Sequence, residues 1–434
     1  MQPMDSPRQQ RRMLLAVGIG TTLEWFDFTL FAIFSLHIAK TFFPAQDQLM
    51  SLLATFVTLA VGFVARPLGA FIIGHYADRH GRKKALILTM NMMAGGTVLI
   101  ALCPGYSVLG YGATVLLVVA RIVQGLAAGG EIGSALAYLC ESAPVSRRGF
   151  FTSFQQVAQA GSFLLCGLFA SILATVLTPE QLGNWGWRIP FVLGVLIYFV
   201  GVYVRRTIDE SHAFQAQARE GIEVPAREIL RHWRSLALGI GFVALWTVCT
   251  QLINFMPAYA QAMLHLDAGK AYYGITLVGF ITLLSPLGGW LSDRWGRYNV
   301  MLLGAVGVLV LAYPAFLALK HNPQDSSLML LQAGLAVLMV LYAGPASAAL
   351  AELFPVAVRS TGISVAYASS VVLFGSFTPT LVTLLYRYTG DPMMAAYYLL
   401  AAALVSLFAL IMARQSQVSA ARQRVAGSRL ELGE

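Results

Sequence analysis

Charge is what this sequence has least of. Asp, Glu, Lys and Arg make up 11% of its 434 residues, where an ordinary soluble domain carries roughly 25%. So few charges cannot clothe a soluble protein of this size. A soluble enzyme, a secreted disulfide scaffold and a disordered hub are excluded. Cysteine is scarce too: Cys103, Cys140, Cys166 and Cys249 lie singly in or beside apolar stretches without C-x-x-C spacing, and they read as small packing residues. The seven histidines show no metal-ligand spacing. No G-x-x-x-x-G-K-[ST] run is present to hold a nucleotide phosphate, so ATP drive within this chain finds no site. No nucleophile–base pair stands inside the apolar stretches, and the chain is not read as an enzyme.

Apolar surface is what the sequence has in abundance: 57% of residues are hydrophobic, in runs of 20 or more that recur along the whole chain. That is the signature of a polytopic α-helical membrane protein. Twelve spans are expected, at 13–39, 50–77, 84–103, 109–139, 150–177 and 189–205, then 235–261, 271–292, 298–319, 327–350, 361–387 and 393–413. The first is too long for the apolar core of a cleaved signal peptide, and Glu24 and Asp27 interrupt it, so it reads as an uncleaved span.

The net charge of +9 sits in short loops between spans. With a cytoplasmic N-terminus, 22 of the 29 basic residues fall in inner segments and five in outer ones, with Arg66 and Arg121 inside spans. This is the positive-inside pattern rather than a nucleic-acid footprint, and it places both termini in the cytoplasm. The stretch 205–234 is the only long polar insertion. It divides an N-terminal six-helix bundle, 1–204, from a C-terminal one, 235–413, followed by a short polar tail, 414–434. Trp185 and Trp187 read as membrane-interface anchors.

The halves repeat. Gly74-His75-Tyr76-Ala77-Asp78-Arg79-His80-Gly81-Arg82 returns 215 residues later as Gly289-Trp290-Leu291-Ser292-Asp293-Arg294-Trp295-Gly296-Arg297. A weaker echo links Glu141-Ser142-Ala143-Pro144 and Arg147 with Glu352-Leu353-Phe354-Pro355 and Arg359. Two parallel six-span repeats are a secondary-transporter architecture, with the substrate site between halves near the membrane midplane.

These loop motifs, with Arg121-Ile122-Val123-Gln124-Gly125 in span 4, resemble the major facilitator superfamily over essentially the whole chain. Leu23-Glu24-Trp25-Phe26-Asp27-Phe28, Arg66-Pro67-Leu68-Gly69, Gly129-Gly130-Glu131 and Trp185-Gly186-Trp187-Arg188-Ile189-Pro190-Phe191 are similar to its metabolite:H⁺ symporter branch. The resemblance implies proton-driven uptake of citrate, 2-oxoglutarate, shikimate, aromatic carboxylates, or proline and betaine. The roughly twenty polar residues after Ala413 lack the long heptad extension of osmosensing proline/betaine members.

A charge inside a span costs roughly 2.5–3.5 kcal/mol on the insertion scale. Glu24, Asp27, Arg66, Arg121 and Glu131 are five such charges, all in the first half. At about 100° per residue, Thr55, Thr58, Gly62, Arg66 and Gly69 share one helix face. So do Arg121, Gln124, Ala128 and Glu131, then Thr152, Gln155, Gln159 and Ser162, and finally Thr247, Gln251, Asn254 and Ala258. Polar stripes on several spans suit a water-filled cavity. The expected proton-coupling groups are Glu24, Asp27 and Glu131. The expected substrate contacts are Arg121, Arg66, Gln124, Gln155, Gln159, Gln251 and Asn254. Simpler roles stand beside these: Glu24 and Asp27 as neutralising partners of Arg66, Arg66 as a brace for the Pro67 kink, and the amides as helix–helix glue.

The loop residues Gly74, Asp78, Arg79, Gly81, Arg82, Glu141, Asp293, Arg294 and Arg297 form a gating motif by resemblance. That resemblance implies Asp78 docked on the N-terminal end of span 11 and Arg82 paired with Glu141, although the cluster also satisfies topology alone. The expectation is therefore an all-α membrane protein with the major facilitator fold, in a bacterial-type inner membrane. It acts as a monomer, with a small organic anion and H⁺ as partners beside the lipid bilayer, and no nucleic acid. No cofactor is expected beyond the proton gradient. A di- or tricarboxylate leads; a zwitterionic osmolyte, shikimate or an aromatic acid, drug export, and a signalling receptor of transporter shape are the rivals.

Overall fold

In lipid, backbone N–H and C=O groups must be satisfied inside their own segment, which leaves helices for apolar spans like these. The computed structural model describes residues 18, 21–22, 24–80, 82–129, 131–195, 198 and 231–431, with backbone alone at 74, 77–80, 82–83, 85–86, 131, 268 and 417–431. Among these residues every regular element is helical. Nine helices are long and apolar enough to cross a membrane, and they coincide with expected spans 2, 4, 5 and 7 to 12. Span 3 contains the shorter apolar helix Ile87–Leu102. Spans 1 and 6 lie partly outside the described residues, as does most of the 205–234 linker. The last span continues as one helix from Met394 to Glu431, beyond the point where a polar tail was expected.

Helix ends follow their sequences. Thr178 caps Pro179–Asn184 with a reciprocal capping box to Gln181, and Asp267 caps Ala268–Thr282 through the Gly269 N–H. Gly296 has φ +90° between Ser285–Trp295 and Arg297–His321. That conformation favours glycine and explains why the repeated loop motif carries one there.

Several spans are broken where continuous helices were expected. Span 4 stops at Ala127 and resumes at Glu131. Span 8 breaks between Thr282 and Ser285, with Pro286 in the first turn of its second piece. Span 11 carries a π-helical turn, Val371–Gly375, between Arg359–Ser370 and Thr378–Thr389. The Phe374 carbonyl in that turn accepts a hydrogen bond from the Tyr398 hydroxyl at 2.9 Å.

Polarity runs inside out relative to a soluble protein. Phe71, Ile172, Val310, Leu330 and Phe408 are exposed, while Thr55, Arg66, Arg121, Gln155, Thr247 and Gln251 are buried. The exposed apolar belt is a surface for lipid. All four cysteines are free and buried, as expected of packing residues. Trp187 departs from its expected anchoring role: it is fully buried, edge-on to Phe42 at 6.2 Å, whereas Trp185 is exposed.

Two seams position the interior. Spans 2 and 4 touch backbone to backbone. A Cβ on Gly125 would run into the Gly62 carbonyl, one on Gly129 into the Arg66 carbonyl, and one on Gly69 into Leu126. Gly125 and Gly129 form the small-xxx-small spacing that permits this approach. Spans 5 and 8 form the other seam: Gly167 lies on Thr276, Gly279 on Leu164, and Gly149 on Gly289. Because span 5 precedes the linker and span 8 follows it, this seam joins the two halves of the chain.

The halves also meet at both ends. At the end bearing Arg82, Arg148, Arg297 and Arg359, the basic end, Glu141 pairs with Arg359 at 2.9 Å. At the far end Asp47 pairs with Arg387 at 2.9 Å and Phe56 meets Phe255 edge-on at 5.2 Å. An ion pair between the halves thus bridges each end.

Candidate functional site

Span 1 brings a carboxylate against spans 3 and 4. Asp27 Oδ2 accepts a hydrogen bond from Thr97 Oγ1 at 2.5 Å and from Gln124 Nε2 at 3.3 Å. Gln124 Nε2 also donates to Thr97 Oγ1 at 3.0 Å, and Gln124 Oε1 accepts from Arg121 Nη1 at 2.8 Å. Arg121 and Asp27 are thus joined through a glutamine amide. One turn of helix, Arg121 to Gln124, supplies both the cation and the connector.

Arg121 is fully buried, with its guanidinium carbon 3.6 Å from the Phe31 ring centroid. Its Nε and Nη2 have no hydrogen-bond partner among the described residues. A buried cation with unmet donors is costly unless something compensates, and the ring face supplies only part of that. Chemically, this is a guanidinium with two donors free for an anion.

The second arginine has other company. Arg66 Nη2 lies 3.4 Å from Glu24 Oε1, and the guanidinium is ringed by Phe28, Phe63 and Trp25 at 4.4, 4.8 and 5.2 Å. Phe28 also stands 5.4 Å from the Arg121 guanidinium, so one ring contacts both cations. Of the two span 1 acids, Glu24 neutralises Arg66 and Asp27 is turned toward Arg121. The side chain of Glu131, the third expected proton-coupling group, lies outside the described residues.

The expected amides are buried but form a separate set. Asn254 Nδ2 donates to Gln251 Oε1 at 3.4 Å, and Gln155 Oε1, Gln159 Nε2, Gln251 Nε2 and Asn254 Oδ1 lack partners among the described residues. No hydrogen bond among the described residues links them to either arginine. Only Gln124, of the expected amides, joins the charged network. Thr97 was not anticipated: with Thr89 and Asn91 on span 3 it makes no stripe at helical spacing.

At the basic end the two motif copies are described unequally. Gly74, Asp78, Arg79 and Arg82 are described by backbone alone and Gly81 lies outside the described residues, so the docking expected for Asp78 falls there too. In the second copy, Asp293 accepts from the backbone N–H groups of Gly149 and Phe150, both at 2.9 Å, at the start of span 5. It also pairs with Arg297, which reaches Glu352 at 3.2 Å. Arg294 is not part of this cluster: it is exposed and stacks on Trp290 at 4.1 Å. Glu141 is held by Arg359; the side chain of Arg82, expected opposite it, lies outside the described residues.

The family model for sugar (and other) transporters matches residues 13–238 and 231–416. The chain belongs to this family of the major facilitator superfamily. Among curated relatives, a citrate-proton symporter of Klebsiella pneumoniae is 36% identical over 399 residues, 91% of this chain and 90% of that protein. A proline/betaine transporter of Escherichia coli (strain K12) is 33% identical over 415 residues, 92% and 82% of the two chains. Among solved structures, the proton:xylose symporter XylE bound to 6-bromo-6-deoxy-D-glucose gives a TM-score of 0.76 at 17% identity, covering 94% of this chain and 95% of that one. XylE from E. coli in a partially occluded inward-open conformation gives 0.71 at 19%, covering 92% and 96%. These structures show the shared fold. The protein is a multi-pass membrane transporter of this superfamily.

Proposed function

We propose that the protein is a proton-coupled symporter that imports an organic carboxylate, a di- or tricarboxylate such as citrate first among candidates. It works by alternating access of two six-helix bundles, 1–204 and 235–413, with twelve spans and both termini in the cytoplasm of a bacterial-type inner membrane. The basic end is then the cytoplasmic side. The proton gradient is the only driving agent, and one copy of the chain suffices.

The observation that carries this reading is the buried chain Arg121–Gln124–Asp27 with two guanidinium donors unmet. A substrate carboxylate on Arg121 Nε and Nη2 forms charge-assisted hydrogen bonds. It also cancels the positive field that stabilises ionised Asp27, so the acid takes up a proton. Substrate and proton thereby load together. Arg66 and Glu24 form the adjoining wall. Gln155, Gln159, Gln251 and Asn254 supply polar contacts to the substrate from spans 5 and 7. Glu141–Arg359 and the Asp293 docking close the inner side; Asp47–Arg387 closes the outer side.

The 36% relatives favour citrate and the 33% relatives favour a zwitterion; two buried arginines favour the anion. Vesicles holding the purified protein and a trapped pH dye decide between them. Citrate, 2-oxoglutarate, shikimate, benzoate, proline and betaine are added one at a time. Internal acidification with one carboxylate, lost in Arg121→Gln, is the expected result. A response to betaine alone, with none to the acids, would sink the carboxylate reading.

A further inference from the structure

Asp27 has two oxygens with different surroundings. Oδ2 is taken by Thr97 and Gln124. Oδ1 has no hydrogen-bond partner among the described residues and lies beside Gly194 of span 6, where an added Cβ would stand 3.7 Å from it. The space there is a cavity of about 50 Å³ between spans 1, 3, 4 and 6, mostly apolar in its lining (Phe26, Met90, Met93 and Val195 among others), with Glu24, Asp27, Thr89, Thr97 and Tyr198 as its polar members. Its volume leaves room for about three to five waters around those polar groups. Among the described residues none of the second half lines it, and neither do the amides of spans 5 and 7.

The cavity is also directional. Thr97 and Asp27 are buried, Met93 and Thr89 are half-buried, and Asn91, whose Oδ1 accepts from the Tyr198 hydroxyl at 2.8 Å, is exposed. From Thr97 to Thr89 the lining runs two turns along span 3 toward Arg82, that is, toward the basic end.

We infer that this side chamber, enclosed by spans 1, 3, 4 and 6, is the route by which Asp27 exchanges its proton with cytoplasmic water, separate from the substrate path between the halves. The inference rests on Asp27 as the coupled acid. Thr97 serves as its positioning residue. Its single hydroxyl hydrogen has two acceptors, Asp27 Oδ2 at 2.5 Å and the Met93 carbonyl at 2.9 Å. With Asp27 ionised, Thr97 donates to the carboxylate. Protonated on its chamber-facing Oδ1, the acid offers Oδ2 as a weaker acceptor and the threonine hydrogen turns to Met93. On release the Oδ1 proton passes to a chamber water, which leaves as hydronium, and the threonine hydrogen returns to the carboxylate. Proton count is conserved: one proton passes from the acid to water and one hydroxyl rotates. The other charged or titratable groups around Asp27 are Glu24 on its own helix, Arg121 on span 4, Cys166 on span 5 and Tyr198 on span 6, with Arg66 of span 2 behind Phe28.

The test uses the reconstituted full chain and no transported substrate. The carboxyl stretch of protonated Asp27, identified by its loss in Asp27→Asn, is followed by infrared spectroscopy during exchange from H₂O to D₂O. Ala94→Cys places a thiol in the chamber wall, and a small charged methanethiosulfonate applied from the basic side plugs it; treated wild type is the control. Labelling, with deuterium exchange at Asp27 slowed at least tenfold, is the expected result. An unreactive thiol, or exchange unchanged within about twofold after labelling, overturns the chamber route while leaving Asp27 as the coupled acid. Absence of any band lost in Asp27→Asn removes Asp27 from proton coupling, and the route with it. Thr97→Val is expected to shift the pH midpoint of the band, with Thr97→Ser restoring it; a purely structural role moves neither.

Discussion

The two halves of this transporter share a loop motif and a helix count, yet their interiors are built from different chemistry. Within the first, Glu24, Asp27, Arg66 and Arg121 are all buried, and each touches another polar or aromatic group. Within the second, the buried polar groups among the described residues are neutral, such as Gln251, Asn254, Thr383 and Gln332, apart from Arg359 at the start of its helix. Repeating a fold does not oblige its copies to share a task. The charged half has the means to respond to a proton and an anion. The neutral half has the means to shape a cavity and to move.

The sharpest way to break that contrast is Asp27→Asn. Proton-driven accumulation is expected to fall at least 100-fold, about 2.7 kcal/mol, while exchange of substrate between the two sides persists; the same assay on Gln251→Ala should show a far smaller drop. Equal losses from both would erase the division of labour. Arg121→Lys comes next. Lysine keeps the charge but loses the planar donors shared between Gln124 and an anion, so uptake at fixed substrate should fall about tenfold or more.

The closures at the two ends offer a third comparison. Arg359–Glu141 is largely buried, and removing Arg359 leaves an acid with little water, at a cost of about 3 kcal/mol. Asp47–Arg387 is solvent-exposed and worth under about 1 kcal/mol. Arg359→Ala should therefore shift the protein toward opening at the basic end, read as faster labelling of a cysteine placed there, while Arg387→Ala should barely change labelling at the other. Gly129→Leu probes the seam between spans 2 and 4: overpacking of about 1–3 kcal/mol should lower the unfolding midpoint by several degrees. The smallest effect is at Asp391, whose carboxyl is held below its ordinary value first by the Met393 backbone N–H and then by Lys320. A depressed value in the folded state means stability that is present above the unfolded value of 3.8 and lost as the pH falls through the folded one. On a half-buried group whose partner Lys320 is exposed to solvent, Asp391→Asn should cost only about a few tenths of a kcal/mol at neutral pH and flatten the stability curve below about pH 4.

Most span positions were legible because hydropathy is a long-range average that survives local irregularity. The breaks at Ala127–Glu131, Thr282–Ser285 and Val371–Gly375 were not, since each depends on what packs beside it rather than on its own residues. The described members of the stripes on spans 2, 4, 5 and 7 are buried, as periodicity marks the enclosed side of a helix, although span 7 is buried nearly all round and the Glu131 side chain lies outside the described residues. Pairing escaped them. Glu141 meets Arg359 across 218 positions, and no spacing rule points to so distant a partner. Thr97 escaped for a different reason: Thr89, Asn91 and Thr97 on span 3 form no helical stripe, and only the arrival of Asp27 from span 1 gives Thr97 a role.

The glycine seam between spans 2 and 4 sets a limit on how this transporter changes its cargo. Where carbonyls rest directly on glycine Cα atoms, no rotamer stands between the two helices, so the spacing of Arg66 and Arg121 is fixed by main chain. The pair works as a gauge of constant width. Adjusting that width would require replacing Gly62, Gly69, Gly125 and Gly129 in concert, each alone meeting backbone. New selectivity is therefore reached more readily through side chains away from the seam, such as the amides proposed as substrate contacts on spans 5 and 7, which is where single substitutions recovered from a selection for altered substrate range are expected to fall.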